Sequence, residues 1–249
     1  MEPKEQGELS QERKKDIYKL LKRIGVSQNN MDFINHNESH CLSILNEALT
    51  HTSANSKNNH ERLEFLGDAV LRLAASEYIQ AKFPFLKVGD RSALRAQIVS
   101  DEWLANVGCK VSIKETMLIG LKAHKDDAAS ATLQAEAIEA LIGGIYECLK
   151  DITAITDWLS PHWDESSKRV LADPYRLNAK SALQEWSQGK SFDKPDYQIK
   201  ELSKKHGDQN RFFCKVIINQ MVLGEGYGSS RKQAEKEAAK VALEKLETS

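Results

Sequence analysis

Cysteine is scarce in this chain of 249 residues, and its positions form no recognisable framework. The cysteines stand far apart, and no two of them have the C-x-x-C spacing typical of zinc sites. The sequence therefore argues against a zinc module or a disulfide scaffold and indicates a reducing compartment, for which we expect the cytoplasm. The four positions are Cys41, Cys109, Cys148 and Cys214.

Long hydrophobic runs are also missing. No apolar segment approaches the roughly 20 residues that a membrane-spanning helix needs, and the first residues are polar and charged, unlike a secretory leader. A Ser-His-Asp or Cys-His arrangement for nucleophilic catalysis is not evident either. We expect a soluble protein that needs neither a membrane nor a small-molecule cofactor.

Net charge is close to zero, but the two parts of the chain differ. The whole sequence carries 35 Lys and Arg against 36 Asp and Glu, a net charge of −1. Residues 1–173 hold 21 basic and 26 acidic side chains, whereas residues 174–249 hold 14 and 10. The N-terminal part is thus acidic and the C-terminal part is basic. This difference predicts that the C-terminal part binds a polyanion while the N-terminal part binds metal.

Apolar residues follow a helical period up to about residue 160, and no convincing strand precedes residue 174. We predict an all-α domain over 12–160, with a polar loop at 118–130 and Ser100 as an N-cap. A linker is expected over 161–174, where periodicity gives way to charge. The predicted helices are 13–24, 42–49, 59–83, 89–99, 100–107, 132–150 and one containing Ile152, Ile155 and Trp158.

Beyond the linker the pattern changes to an α-β-β-β-α order, which predicts a small α+β domain over 175–247. Apolar residues alternate with others along the middle strand, and Asn219-Gln220 is a short turn between two strands. The predicted helices are 178–188 and 230–246, and the predicted strands are 197–203, 211–219 and 221–227.

Three acidic residues share one face of the helix predicted at 59–83. Glu61, Glu64 and Asp68 have i, i+3, i+7 spacing and fall within about 60° of one another on a helical wheel. Most of the remaining circumference is apolar, which predicts a buried helix whose carboxylates need compensating cations such as Mg²⁺. A solvated acidic stripe on an ordinary amphipathic helix fits the same spacing, so spacing alone leaves both interpretations open.

The exact order of residues in this segment is more informative about function than the spacing of its acids. From His60 to Leu71 it reads His-Glu-Arg-Leu-Glu-Phe-Leu-Gly-Asp-Ala-Val-Leu, which closely resembles the signature of ribonuclease III. A second acidic pair, Glu136 and Glu139, lies in Ala-Glu-Ala-Ile-Glu-Ala-Leu-Ile-Gly-Gly and resembles the second signature of that family. Taken alone, this pair is better interpreted as a solvated helix face, and the first signature beside it reverses that preference.

The resemblance implies a homodimeric endoribonuclease that hydrolyses double-stranded RNA with Mg²⁺, or with Mn²⁺ as a substitute. It implies products with 5′-phosphate and 3′-hydroxyl ends and short 3′ overhangs, and roles in ribosomal RNA precursor and mRNA processing. Glu64 and Glu139 would be direct metal ligands, and the other three would act through water or as positioning groups. The implied metal cluster is Glu61, Glu64, Asp68, Glu136 and Glu139, with Asp68 and Glu139 as catalytic residues.

Three positions depart from the usual family pattern. Glu136 stands where Asp is common, which lengthens the side chain by one methylene, and Val88 stands where several members carry an acid. His60 stands where Asn is common, and it either contacts phosphate or caps the helix; we favour the cap. His51 and Ser53 match a His-x-Ser element, for which we favour a local hydrogen-bonding role.

The C-terminal part resembles the double-stranded-RNA-binding domain, most clearly in the segment from Glu225 to Ala234. The resemblance implies that the first helix and the loop containing His206 face two minor grooves of the RNA, and that the last helix holds phosphates between them. Helix N-terminal amides and basic side chains suit that role. The implied RNA-binding residues are Ser181, Gln184, Glu185, Gln188, His206, Ser229, Ser230, Arg231, Lys232 and Lys236.

Two competing hypotheses remain for the whole chain. The first is a non-catalytic double-stranded-RNA binder on a nuclease scaffold, which the intact acidic positions argue against. The second is a metal-dependent phosphoesterase that acts on another substrate, which leaves the C-terminal domain unexplained.

Overall fold

The computed structural model describes residues 9–54, 56–124, 130–172, 179–205 and 207–247. The chain divides into two compact units, Met1–Ser167 and Lys168–Ser249. In the described ranges no helix is both long and apolar enough to cross a membrane. The helices that begin in the first unit are α1 (Gln11–Arg23), α2 (Gln28–His36), α3 (Glu38–Ala48), α4 (Glu61–Lys82), α5 (Val88–Ile98), α6 (Asp101–Lys110), α7 (Leu121–His124), α8 (Ser130–Leu149) and α9 (Thr153–Leu171).

The all-α first unit is built around α8, which packs against α3, α4 and α6. Its small residues allow neighbouring backbones to come close. A Cβ atom added to Gly67 of α4 would collide with the carbonyl oxygen of Glu139, and one added to Gly143 would collide with the carbonyl oxygen of Leu63. Helices α4 and α8 therefore cross with their backbones in direct contact, which brings their acidic residues side by side.

One face of α4 is open, contrary to the prediction of a helix buried on nearly every side. Phe65 is 85% exposed and Leu73 is 55% exposed, and Ala69 between them is exposed as well. The reason is that α8 and its neighbours cover only the face that carries residues such as Leu63 and Leu71. The positions 65, 69 and 73 form a stripe at i, i+4 and i+8, which we call the α4 apolar stripe.

Helix α9 runs through most of the segment 161–174, where a linker was predicted from the loss of periodicity. Residues up to Leu171 are helical, so this prediction is wrong for the larger part of the segment. Trp163 explains why: it is fully buried, and its indole N–H donates to the carbonyl oxygen of Ile98 at 3.1 Å. The domain bounds themselves stay a prediction.

Other differences are local. Helix α2 was not predicted because only Met31 and Ile34 of its nine residues are buried apolar side chains. Helix α7 forms within the segment predicted as a loop. The predicted N-cap of α6 is confirmed, since the hydroxyl oxygen of Ser100 accepts a hydrogen bond from the Trp103 amide at 3.3 Å.

The second unit has the predicted α-β-β-β-α order. Its three antiparallel strands lie in the order β1-β2-β3, and both helices pack on one face of the sheet. Asn219 and Gln220 both have positive φ angles, of 49° and 64°, as a two-residue hairpin turn that matches strand twist requires. The elements are α10 (Ala179–Gly189), β1 (Asp196–Glu201), β2 (Phe212–Ile218), β3 (Met221–Gly228) and α11 (Arg231–Glu247).

The core of this unit follows from the strand pattern. Phe212, Cys214, Val216 and Ile218 of β2 are all buried, which confirms the predicted period of two. Gly224 and Gly226 of β3 lie against the backbone of α11, whose alanines allow this close approach.

Substitution of Gly67 by alanine tests the backbone contact between α4 and α8. We expect Gly67→Ala to destabilise the first unit by about 1–3 kcal/mol or more, because the new methyl group meets backbone atoms that cannot move aside. Urea unfolding followed by tryptophan fluorescence measures this, since Trp103, Trp158 and Trp163 all lie in that unit.

Gly89 of α5 is the matched control, because nothing lies within 4 Å of the Cβ position there. Gly89→Ala is expected to be neutral or to stabilise the helix by roughly 0.5–1 kcal/mol. Equal effects of the two substitutions would contradict the close crossing of α4 and α8.

Candidate active site

The five acidic residues predicted from the sequence line one cleft of about 580 Å³. Helix α4 contributes three of them and α8 contributes two, so the close crossing of these helices creates the cluster. The prediction of buried carboxylates is therefore wrong, since Glu61 is exposed and the other four are only partly buried at the rim of the crossing. The residues that line the cleft are His51, Thr52, His60, Glu61, Glu64, Phe65, Asp68, Glu136 and Glu139.

Burial and the crowding of negative charge raise the pKa of two of these acids. Burial, followed by the charges of Asp68 and Glu64, raises the pKa of Glu139 to about 7. Burial also raises the pKa of Glu64, and the charges of Glu136 and Glu61 add to that rise. Carboxylates that resist ionisation beside one another are stabilised in their charged form by a divalent cation, so the donor set fits a hard metal ion.

Asp68 has a cationic partner on its own helix. Nε of Arg72, one turn further along α4, donates to the two carboxylate oxygens of Asp68 at 2.8 and 2.9 Å. This pair holds the Asp68 carboxylate in place, and the charge of Arg72 opposes the rise in the pKa of Glu139 without cancelling it. The cluster therefore keeps a large excess of negative charge.

His60 occupies the N-cap position of α4, as the sequence interpretation favoured, and its carbonyl oxygen accepts from the Glu64 backbone amide at 2.8 Å, but its side chain does not contribute to the cap. The side chain makes no cap hydrogen bond, and Oδ1 of Asn59 accepts from the Glu61 amide at 3.1 Å instead. His60 is only 2% exposed, and its Nε2 lies 3.3 Å from Oε2 of Glu64 and 3.9 Å from Oε2 of Glu136. Burial, together with the nearby His51, lowers the pKa of His60, which favours the neutral ring.

His51 makes the predicted local hydrogen bonds, and it also faces the acidic cleft. Its Nδ1 lies 2.7 Å from Oγ of Ser53, which in turn accepts from the Gly120 amide at 2.9 Å. Its Nε2 lies 3.9 Å from Oε2 of Glu136, and its ring centroid is 5.0 Å from that of His60. Helical and strand spacing do not predict this convergence of the two histidines, although the His-x-Ser element at 51–53 was a signal that His51 lies near the site.

The predicted RNA-binding residues of the second unit lie on its surface. On α10, Ser181, Gln184, Glu185 and Gln188 are exposed and recur at i, i+3, i+4 and i+7, so they share one face. His206 lies outside the described residues. Val88, in the first unit, is exposed at the start of α5 and is not among the described residues that line the cleft.

The N-terminus of α11 combines capping groups with basic side chains. The hydroxyl oxygen of Ser230 accepts from the Gln233 amide at 3.2 Å, and the Ser229 hydroxyl donates to Oε1 of Gln233 at 2.8 Å. Both serines are thus engaged in forming the helix start. Arg231 and Lys232 are exposed in the first turn, with Lys236 one turn further on.

Comparison with known proteins matches both units. Residues 42–150 match the family model described as Ribonuclease-III-like, and residues 179–246 match that of the double-stranded RNA binding motif. The chain is 62% identical to Ribonuclease 3 of Prochlorococcus marinus over 96% of each protein. It is 34% identical to a Synechocystis protein named Ribonuclease 3 2, over 93% of this chain and 92% of that one.

A solved structure supports the fold of the first unit. The nuclease domain of ribonuclease III from Campylobacter jejuni superposes with a TM-score of 0.50 and 28% identity, covering 61% of this chain and 95% of that one. Together with the acidic cleft, these similarities show that the chain belongs to the metal-dependent ribonuclease III family of endoribonucleases, as a member with one nuclease domain followed by one double-stranded-RNA-binding domain.

Proposed function

We propose that this endoribonuclease cleaves double-stranded RNA by Mg²⁺-assisted hydrolysis in the cleft between α4 and α8. The observation that carries the proposal is the convergence of five carboxylates from two crossing helices. Carboxylates and water are the ligands that Mg²⁺ prefers, and Mn²⁺ accepts the same donors. The products would carry 5′-phosphate and 3′-hydroxyl ends, with short 3′ overhangs.

Each acidic residue has a proposed role. Glu64 and Glu139 would bind metal directly, since burial, followed by the charges of their neighbours, raises the pKa of each carboxyl and disfavours ionisation unless a cation is present. Glu61, Asp68 and Glu136 would act through water or position other groups, and Asp68 with Glu139 would form the catalytic pair. When bound, divalent ions lower the pKa of a water molecule and stabilise the attacking and leaving oxygens.

A second copy of the chain is the proposed occupant of the α4 apolar stripe. Phe65, Ala69 and Leu73 are exposed along it, and Phe65 also borders the cleft. Large apolar side chains in a row favour a protein interface over exposure to water. The Campylobacter jejuni nuclease domain has a region involved in dimer formation. Two clefts in a dimer would cut opposite strands and so produce the overhang.

The second unit would bind the RNA duplex by its shape. The exposed face of α10 supplies polar side chains for a minor groove, and Arg231 and Lys232 supply positive charge for phosphates. Ribosomal RNA precursors and mRNAs would be the substrates in the cytoplasm. The buried free thiols of Cys41 and Cys148 fit that reducing compartment.

Substitution of Glu139 separates binding from cleavage. We expect Glu139→Gln to lower the cleavage rate by roughly 10³-fold or more, because metal assistance supplies several kcal/mol and each ~1.4 kcal/mol is a factor of ten. Cleavage of a labelled RNA hairpin in Mg²⁺ measures the rate, and a gel shift in Ca²⁺ is expected to show unchanged binding.

Glu77 is the control for this experiment, since it is an exposed acid on α4 that does not line the cleft. Glu77→Gln is expected to cleave normally. Tight binding without cleavage in the unmodified chain, in Mg²⁺ and in Mn²⁺, would overturn the proposal in favour of a non-catalytic RNA binder.

The basic start of α11 is tested through the salt dependence of binding. We expect replacement of Arg231 and Lys232 by alanine to weaken duplex binding and to reduce the slope of log affinity against log salt by about two, about one for each lost phosphate contact. Lys200→Ala is the control, because Lys200 is exposed on β1 and points away from the helices. An unchanged slope would remove Arg231 and Lys232 from the interface.

Leu73 tests the dimer without touching the cleft. We expect Leu73→Asp to convert the protein to a monomer, because a carboxylate cannot be buried unpaired in an apolar contact. Light scattering after gel filtration measures the mass. Phe33→Asp, at an exposed apolar residue of α2, is expected to leave the dimer intact. A dimer that survives Leu73→Asp would exclude the α4 apolar stripe as the interface.

A further inference from the structure

Imidazole and carboxylate groups from different elements approach one another within the cleft. Nε2 of His60, just before α4, is 3.9 Å from Oε2 of Glu136 on α8. His51 completes the group, since each of the three residues offers a ligand atom within 4.8 Å of the others.

The spacing of these atoms suits a single metal ion. Zinc bonds to histidine nitrogen and carboxylate oxygen measure about 2.0–2.1 Å, so neighbouring ligand atoms in a tetrahedron are about 3.4 Å apart. Nε2 of His60 lies 3.3 Å from Oε2 of Glu64, and each histidine Nε2 lies 3.9 Å from Oε2 of Glu136. The ligand atoms of His51, His60 and Glu136 all lie within 4.8 Å of one another, so side-chain shifts of about an ångström bring three donors to that spacing, and Glu64 is within reach of the site through its distance to His60.

His60 supplies a second, independent observation. Its side chain is almost completely buried and lines the cleft, where its Nε2 faces Glu64 and Glu136. Burial of a polar imidazole costs free energy unless its ring nitrogens are paired, so it needs a reason to be present. A ligand bound at Nε2 is such a reason.

Nitrogen donors select against Mg²⁺. Mg²⁺ takes oxygen ligands, whereas imidazole suits Zn²⁺, Cu²⁺, Ni²⁺ and Fe²⁺, which bind a mixed nitrogen and oxygen site more tightly. A position with two imidazoles and one or two carboxylates therefore differs in kind from the five-carboxylate cluster beside it.

We propose that His51, His60 and Glu136, with Glu64 as a fourth donor, form a second metal position that takes a nitrogen-preferring divalent ion such as Zn²⁺. This binding step does not depend on the proposed RNA cleavage. It shares Glu64 and Glu136 with the carboxylate cluster, so Zn²⁺ withdraws two of the five acids from Mg²⁺. Only this competition between Zn²⁺ and Mg²⁺ for Glu64 and Glu136 depends on the proposed function.

His51 must change its tautomer to take part. Without metal, the Ser53 amide donates to Nδ1 of His51 at 3.1 Å, which leaves the ring proton on Nε2. A metal ion at Nε2 needs that lone pair, so the proton moves to Nδ1, where Oγ of Ser53 lies at 2.7 Å to accept it. The change of tautomer is a spectroscopic signature of the site.

The test is Zn²⁺ binding to the full chain, stripped of metal and then held in an excess of Mg²⁺. We expect calorimetry to show one Zn²⁺ per chain that the excess of Mg²⁺ does not displace. In a chain with ¹⁵N-labelled histidine, the imidazole signals of His51 and His60 are expected to shift, with that of His51 changing to the Nδ1–H tautomer. The signals of the other five histidines are expected to stay in place.

Substitutions test which residues bind Zn²⁺. His60→Asn and His51→Gln are each expected to weaken Zn²⁺ binding at least tenfold, while His36→Asn, at an exposed histidine of α2, leaves it unchanged. If circular dichroism shows that His60→Asn does not fold, the proposal is tested instead by Zn²⁺ binding to His51→Gln and by the ¹⁵N-histidine spectrum of the unmodified chain. Complete displacement of Zn²⁺ by Mg²⁺, or shifts confined to other histidines, would overturn the proposal. Neither result would contradict Mg²⁺-dependent cleavage, which the Glu139 experiment tests separately.

Discussion

Mutual repulsion among five carboxylates is the constraint on which the first unit depends. Helices α4 and α8 bring these groups together because Gly67 and Gly143 let the two backbones touch. Packing in the surrounding core holds these groups at this distance, and burial, followed by the charges of Asp68 and Glu64, raises the pKa of Glu139. A looser crossing would relieve the repulsion, but it would also separate the carboxylates that are proposed to share a metal ion.

Charge separation between the two units follows from the same constraint. An acidic cleft repels RNA phosphates until cations occupy it, so the nuclease unit is poorly suited to attract its own substrate. The second unit carries the positive charge instead, with Arg231 and Lys232 exposed at the start of α11. The second unit would therefore attract the RNA, and the acidic cleft of the first unit would cleave it. For this reason, substitutions in the cleft are expected to affect cleavage without affecting binding.

Sequence periodicity was enough to predict what depends on local geometry. The acids at positions 61, 64 and 68 share a face because of helical spacing, and β2 alternates because strands do. Features that depend on tertiary contacts were missed. Phe65 looks like a core residue in the sequence but faces outward, and Trp163 lies in a charged segment but is fully buried. No spacing rule reveals that His51, nine positions before His60, turns back to meet it.

Glu136 lies between a group of carboxylates and a pair of imidazoles in the cleft. On one side are the carboxylates of α4 and Glu139, which offer only oxygen, and on the other are the imidazoles of His51 and His60. An aspartate at this position, one methylene shorter, would reach less far from α8 toward the imidazoles. Under the two proposals made above, Glu136 would join the imidazoles when a nitrogen-preferring ion binds and the other carboxylates when Mg²⁺ binds. The length of this side chain would then bear on the metal selectivity of the cleft while leaving its charge unchanged.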